Sequence, residues 1–192
     1  MAQAAGDSAR LFFALWPDAD VRTALSVVQE QVQGRRMHHA DLHLTLIFLG
    51  QQPAALLPVL KDVLAHLPCS DIVLTLDRAG YFARNRIAWA GSSSAPPALL
   101  DLLAALKGEL RRHEVSYREE SRGFQPHITL ARDAQAPGDV VFDPIRWRAC
   151  ELVLVESQGG NGARYRVLAR RRLDEEVRVP DPREDALLGG GN

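Results

Sequence analysis

The sequence predicts an α+β protein whose single domain is built from two similar halves. Two observations favour this class: a short phrase that occurs twice, and strand-like segments that alternate with helix-like ones. The phrase stands at Leu42–Leu46 and again at Pro126–Leu130, and its two histidines are 84 positions apart. A chain of 192 residues with 46% apolar content is long enough for one well-cored domain.

In the first half, short apolar runs predict strands and apolar residues with a 3.6-residue period predict helices. Asp18 follows Pro17 and is suited to cap a helix. The elements predicted in chain order are a strand at Arg10–Trp16, a helix from Asp18 to about Gln33, a strand at His43–Leu49, a helix at Ala54–His66 and a strand at Ile72–Leu76.

The second half follows the same logic, with glycine and proline marking the connections. Its predicted elements are a turn at Asp77–Arg86, a strand at Ile87–Ala90, a flexible Gly91–Pro97, a helix at Ala98–His113, and strands at Phe124–Ala131, Glu151–Ser157 and Tyr165–Arg171. We expect the domain to span residues 10–178. Residues 1–9 are expected to be flexible, and residues 179–192, rich in Asp, Pro and Gly, to form a disordered tail.

Bulk properties exclude several classes of protein. A formal net charge of −1 and an isoelectric point near 6.6 argue against general electrostatic coating of nucleic acid, so any RNA contact must be local. Cys69 and Cys150 stand in unrelated contexts and form neither a disulfide framework nor a four-ligand zinc motif. The sequence shows no secretory leader and no apolar run of about eighteen residues. We therefore expect a cytoplasmic protein with no membrane partner.

The repeated phrase is the main indication of function. Side chains alternate along a strand, so His43 and Thr45 share one face, as do His127 and Thr129. A single histidine in a strand is usually structural. Two histidines at matching positions of a repeated phrase indicate function instead. Each buried imidazole costs free energy unless both ring nitrogens form hydrogen bonds, and the fold gains nothing obvious from that cost at two equivalent places. The other histidines, for which solvent exposure is the simplest interpretation, are His38, His39, His66 and His113.

Alternative uses of the two histidines lack the residues they need. Zinc would require a third ligand, yet the sequence contains no His-Glu-x-x-His and no cysteine pair with ligand spacing. Acyl transfer would require a nucleophile motif such as Gly-x-Ser-x-Gly, and ATP binding a glycine-rich phosphate loop; neither is present. We predict no metal or other cofactor.

Paired acid and base catalysis fits the residues that are present. Imidazole titrates near neutral pH, so one of two histidines facing a cleft can take a proton while the other gives one. Displacement at phosphorus needs this division between the attacking and the departing oxygen. Hydroxyl groups beside the histidines can donate to the non-bridging phosphoryl oxygens, where charge collects in the transition state.

The motifs resemble those of a known family. The phrases that carry the resemblance are Arg10–Leu15, Leu42–Gly50, Gly80–Gly91 and Phe124–Arg132, within a match from about Arg10 to Arg171. They are similar to the bacterial and archaeal RNA 2′,3′-cyclic phosphodiesterases, historically called 2′-5′ RNA ligases, of the two-histidine phosphoesterase superfamily. The resemblance implies a bilobal fold of two pseudo-symmetric lobes, each with an antiparallel sheet and outer helices, around an active-site cleft. It also implies metal-independent hydrolysis of a terminal 2′,3′-cyclic phosphate to a 2′-phosphate.

The resemblance also implies residue roles. His43 would protonate the departing 3′ oxygen, His127 would orient and deprotonate the attacking water, and Thr45 and Thr129 would bind phosphate oxygens. The near symmetry of the site leaves open which histidine is the acid. Arg132 would cover the phosphate or stack on a base, unless it is a solvated strand-end residue.

Two aromatic features complete the implied site. Phe12 would stack on a nucleobase or pack in the core. Tyr81, Phe82 and Arg84 lie in the predicted turn, which would form either a rim of the cleft or an ordinary loop.

Two other functions remain open. The same site run backwards would join 2′,3′-cyclic phosphate and 5′-hydroxyl ends without ATP, and a protein that kept the fold but lost chemistry would be an RNA-binding module. An ATP-dependent ligase is excluded, since neither Lys61 nor Lys107 stands in a Lys-x-Asp-Gly context. The expected partners are RNA ends or nucleotides that carry a 2′,3′-cyclic phosphate, bound by a monomer.

Overall fold

Apolar residues alternate with polar ones over most of the chain, and strands accordingly dominate the structure. A computed structural model describes residues 8–68, 71–119, 123–158 and 165–174. Its strands are β1 (Ser8–Leu15), β2 (Arg35–Arg36), β3 (Leu44–Pro53), β4 (Ile72–Leu76), β5 (Arg78–Phe82), β6 (Ile87–Gly91), β7 (His127–Arg132), β8 (Ile145–Ala149), β9 (Glu151–Ser157) and β10 (Tyr165–Arg172). Its α-helices are α1 (Ala19–Gln29), α2 (Leu57–His66) and α3 (Pro97–Arg112).

The strands form one long antiparallel sheet in the order β10-β9-β1-β3-β7-β6-β5, with β2 added beside β7. The remaining strands, β4 and β8, form a separate two-stranded sheet. Within the long sheet, β3 and β7 pair at a single position, Leu44 opposite Ile128. That narrow connection divides the sheet into a first lobe of β10, β9, β1 and β3 and a second lobe of β7, β6, β5 and β2. The predicted α+β bilobal fold is confirmed.

The two lobes do not coincide with the two halves of the sequence. The first lobe takes β1 and β3 from the start of the chain and β9 and β10 from its end, whereas the second lobe uses the middle. The prediction of two sequential halves was wrong on this point. The pairing of β1 with β9 is long range, and the composition of a single segment does not reveal it.

Most predicted elements lie within a few residues of the observed ones, and the differences have local reasons. The turn predicted at Asp77–Arg86 is instead the edge strand β5, followed by a 3₁₀ turn at Ala83–Asn85. No residue of this edge strand is fully buried and Gly80 stands at its centre, which is why the segment resembles a turn. Strands β2 and β8 were not predicted, and β1 begins at Ser8, inside the segment expected to be flexible. The expectations for residues 1–7 and 179–192 lie outside the described residues.

One face of the central strands is buried in the core of the protein. Leu44 and Ile128 are fully buried in one core with helix residues such as Leu25, Leu60 and Leu102.

Asp18 caps α1, since its carboxylate accepts a hydrogen bond of 2.9 Å from the Val21 amide. No helix within the described ranges is long and apolar enough to cross a bilayer.

Strand β7 contains a bulge just after its histidine phrase. Thr129 pairs with Trp89 and Ala131 with Ala88, so Leu130 is the extra residue. A bulge shifts the alternation of side chains by one position. Leu130 and Ala131 are therefore both buried, and Arg132 returns to the face that carries His127 and Thr129.

Strand β3 contains a matching bulge. Thr45 pairs with Ala14 and Ile47 with Phe13, so Leu46 is the extra residue here. Leu46 and Ile47 are both buried, and Phe48 returns to the face of His43 and Thr45. Phe48 and Arg132 are thus equivalent positions, each three residues after the threonine of its phrase.

A buried glutamine holds the β7 bulge in place. The Gln29 amide, on α1, donates to the carbonyl oxygen of Leu130 at 2.8 Å and to that of Met37 at 3.0 Å. Gln29 is 5% exposed, and its amide donates to the buried carbonyl group of Leu130 and to the partly buried one of Met37. Helix α1 therefore fixes the geometry that turns Arg132 toward the site face.

We expect Gln29→Leu to lower the free energy of unfolding by about 2 kcal/mol, because the buried carbonyl oxygen of Leu130 and the partly buried one of Met37 each lose a donor. Urea denaturation followed by circular dichroism measures the change. Gln33→Leu is the matched control: Gln33 is exposed, and its replacement should alter stability by no more than about 0.5 kcal/mol. Equal effects of the two substitutions would contradict the role given to Gln29.

Candidate active site

The single pairing between the lobes brings the two histidine phrases together. With Leu44 opposite Ile128 in an antiparallel pair, His43 comes opposite Thr129, and Thr45 opposite His127. All four side chains point away from the core, since Leu44 and Ile128 occupy the buried face. The structure therefore places two imidazoles and two hydroxyls in one patch at the junction of the lobes.

Both imidazoles are oriented by the same local hydrogen bond. Nδ1 of His43 lies 2.6 Å from the carbonyl oxygen of Asp41, and Nδ1 of His127 lies 2.8 Å from that of Gln125. A carbonyl oxygen only accepts, so each Nδ1 carries the hydrogen when the ring is neutral. The Nε2 atom of each ring is left to accept or to donate a proton.

Burial favours the neutral form of His43. Burial of the ring lowers the pKa of His43 to about 4, and the positive charge of Arg132, with that of His127 when it is protonated, acts in the same direction. The hydrogen bond to Asp41 opposes the shift without overcoming it.

Aromatic rings enclose His43. Trp16 stacks on it at 5.4 Å between ring centroids, Phe12 stacks at 4.9 Å, and Tyr165 meets it edge-on at 4.9 Å. Phe12 is only 2% exposed, so its ring has almost no free area on which a nucleobase could stack. The structure places Phe12 beneath His43, where it supports the imidazole.

His127 has a similar but more open support. The Phe82 ring meets it edge-on at 5.1 Å, and Trp89 lies 6.2 Å away. Of the three residues in the predicted turn, Phe82 therefore reaches the site, while the Tyr81 hydroxyl donates to the Ala134 carbonyl oxygen. Sequence reasoning gave no role to Trp89, although its position opposite Thr129 makes it part of the same face.

Polar groups with no assigned partner face the junction. Within the described part of the chain, neither the hydroxyl of Thr45 nor that of Thr129 has a hydrogen-bond partner. The guanidinium of Arg132 likewise forms no ion pair there. These groups can donate to an anion that bridges the two imidazoles.

A groove of about 490 Å³ extends from this junction on the side of Thr45 and His127. Phe48 of the first lobe and Phe82 of the second contribute its apolar part. Its polar part comes from Asn85, Gln125, Arg118 and Glu119. Sequence reasoning missed Phe48, although its spacing from Thr45 equals that of Arg132 from Thr129. Among the described residues, no group of three His, Cys, Asp or Glu side chains is placed to hold a metal ion.

Comparison with known proteins identifies the family. A model of the 2′-5′ RNA ligase superfamily matches residues 16–161. The chain therefore belongs to the 2′-5′ RNA ligase superfamily. The family resemblance predicted from the two histidine phrases is confirmed, and both phrases lie inside the matched residues.

Relatives within the superfamily cover most of the chain. The RNA 2′,3′-cyclic phosphodiesterase of Escherichia coli (strain K12) is 31% identical over 173 residues, covering 86% of this chain and 97% of its own. The protein of the same name from Thermus thermophilus is 33% identical, covering 87% and 91%. The crystal structure of Escherichia coli LigT complexed with 3′-AMP matches with a TM-score of 0.75 at 31% identity, covering 88% of this chain and all of that one.

We expect Gly80→Ala to lower turnover at least tenfold. Gly80 pairs with Trp89, and a methyl group there would overlap the indole ring and push it against His127. Gly108→Ala is the control, since a methyl group at that position of α3 meets no neighbour within 4 Å. Turnover of a 2′,3′-cyclic nucleotide, together with tryptophan fluorescence, measures the effect. Unchanged turnover in Gly80→Ala would mean that Trp89 does not position His127.

Proposed function

We propose that this protein hydrolyses the terminal 2′,3′-cyclic phosphate of RNA or of nucleotides to a 2′-phosphate. The observation that carries the proposal is the convergence of two identically oriented imidazoles and two hydroxyls at the junction of the lobes. The names of the relatives, RNA 2′,3′-cyclic phosphodiesterases, support the same reaction.

In the proposed reaction the cyclic phosphate bridges the two histidines. Thr45 and Thr129 donate hydrogen bonds to its non-bridging oxygens, and Arg132 adds a positive charge on the same face. Nε2 of His127 takes a proton from the attacking water, while Nε2 of His43 gives one to the departing 3′ oxygen. The P–O3′ bond breaks as the new P–O bond forms, which leaves the phosphate on the 2′ oxygen.

This assignment requires a charged His43, whereas burial keeps its ring neutral at pH 7. A general acid must be protonated, and the negative charge of the bound phosphate supplies the required stabilisation of the imidazolium. The phosphate also offsets the positive charge of Arg132, one of the groups that lower the pKa of His43. Substrate binding and protonation of His43 are therefore coupled.

Replacing either catalytic histidine tests the acid and base assignment. His43→Ala and His127→Ala should each lower kcat for 2′,3′-cyclic AMP by about 10²–10⁴-fold, the usual contribution of one acid or base. His66→Ala is the control, because His66 lies exposed on α2. Circular dichroism checks that each variant is folded. Retained activity in folded His43→Ala and His127→Ala proteins would reject the assignment.

The protonation of His43 can be followed directly by NMR. Without ligand its ring should remain neutral from pH 8 down to about 4, the pKa given by its burial. In the complex with a 2′-phosphate nucleotide the pKa should rise, since a bound anion favours the charged ring. Phe12→Leu, which removes a stacked ring but no charge, is a useful comparison. A pKa that stays near 4 in the complex would exchange the roles of His43 and His127.

Reversible joining is a second candidate. The matching Nδ1 bonds of His43 and His127 leave both rings able to give or take a proton at Nε2, so the site can also bring a 5′-hydroxyl to a cyclic phosphate and form a 2′-5′ bond. Incubation of a cyclic-ended RNA with a 5′-hydroxyl oligonucleotide, with no ATP added, tests this activity. Binding without turnover would instead support the RNA-binding module.

The proposal also covers metal dependence, cellular location and oligomeric state. We infer that no metal takes part, because the chemistry is complete with the imidazoles and donors named above, and EDTA should leave the rate unchanged. We also place the protein in the cytoplasm and propose that it acts as a monomer on RNA ends.

A further inference from the structure

The arginines of this protein fall into two groups. Several exposed arginines form ion pairs with carboxylates. The arginines paired in this way are Arg35, Arg111, Arg112, Arg148, Arg166, Arg170 and Arg172. Within the described ranges Arg10, Arg118 and Arg132 form no such pair, and each lies beside the active-site junction or its groove. Other described arginines, such as Arg84 and Arg146, also have no ion pair, so Arg10, Arg118 and Arg132 are distinguished by their position beside the junction and its groove.

Arg10 and Arg118 stand on the two sides of Phe48. The guanidinium carbon of Arg10 lies 4.9 Å from the centre of the Phe48 ring. The backbone amide of Arg118 donates to the Phe48 carbonyl oxygen at 3.2 Å, and its side chain lines the groove. We call these three residues the Phe48 rim. A guanidinium laid on an aromatic ring keeps its N–H groups free to meet a phosphate.

The surroundings leave this charge available. Glu119 also lines the groove, but its carboxylate contacts Arg111 at 3.8 Å and accepts from the Tyr117 hydroxyl at 3.4 Å. The segment before Arg118 is fastened to β3, because the Gln52 amide donates to the carbonyl oxygens of Leu49 and Ser116. The rim is therefore a fixed part of the first lobe.

A cyclic phosphate alone does not need this rim. The terminal phosphate carries a single negative charge. In the proposed reaction it already accepts hydrogen bonds from Thr45 and Thr129 and lies near the positive charge of Arg132. Two further arginines beside a groove of about 490 Å³ match a longer ligand, one with another nucleotide and further phosphates.

We propose that the Phe48 rim binds the nucleotide next to the reacting end of an RNA chain, with Arg10 and Arg118 contacting its phosphates. The inference rests on the proposed function and narrows its substrate class. The preferred substrate is an oligonucleotide that ends in a 2′,3′-cyclic phosphate, and a cyclic mononucleotide is a poorer one.

The test compares two substrates in one set of variants. The substrates are 2′,3′-cyclic AMP and a four-nucleotide RNA ending in adenosine 2′,3′-cyclic phosphate. Arg10→Gln and Arg118→Gln should each raise KM for the RNA about threefold, and the double variant about tenfold. The salt dependence of log KM for the RNA should become shallower by about 0.7 per arginine removed. Arg148→Gln is the matched control, an exposed arginine paired with Asp71 on the separate sheet.

The expected result is that the preference for RNA over the mononucleotide falls about tenfold in the double variant and stays unchanged in Arg148→Gln. An equal loss on both substrates, or no loss on the RNA, would overturn the proposal. Fluorescence anisotropy with the same RNA ending in a 2′-phosphate measures binding independently of turnover. A wild-type protein that turns over neither substrate would refute the proposed function, while anisotropy would still decide the role of the rim.

Discussion

One antiparallel pairing, Leu44 opposite Ile128, brings the two histidine phrases into one site. It is the only place where β3 and β7 pair, so it both joins the lobes and sets their register. A shift of this register by one residue would move the side chains of each histidine phrase to the opposite face of the sheet. Leucine and isoleucine would then face the site in place of the imidazoles. The full burial of Leu44 and Ile128 prevents that shift, because it would expose apolar side chains and bury polar ones.

The bulges in β3 and β7 bring two further residues to the face that carries the histidines. Strict alternation would send Arg132, five residues after His127, to the buried face. The extra residue Leu130 reverses that outcome, and Leu46 does the same for Phe48 in the other lobe. Buried glutamines accompany these irregular strands: Gln29 bonds the Leu130 carbonyl, and Gln52 bonds that of Leu49. Both lobes thus have a strand bulge just after the histidine phrase. At the equivalent position that follows it, the second lobe has Arg132 and the first lobe has Phe48.

The sequence predicted what depends on local pattern and failed where distant segments decide. The histidine phrases, the family and most strands and helices could be predicted from alternation, capping and motif. The edge strand β5 could not, because it has a central glycine and no fully buried residue, as a turn does. The joining of β9 to β1 and the position of Phe12 beneath His43 depend on long-range packing. Bulges escape prediction for a related reason, since they are defined by the partner strand.

The carbonyl partners of the two Nδ1 atoms have a consequence for the catalytic cycle. Each ring handles protons at Nε2 alone, so in the proposed reaction His43 finishes neutral and His127 finishes charged. That end state is the starting state for the opposite reaction. Under the proposed roles, each cycle leaves the protein protonated for re-forming its substrate, and the two rings exchange protons with solvent after the product has left, before the forward reaction begins again.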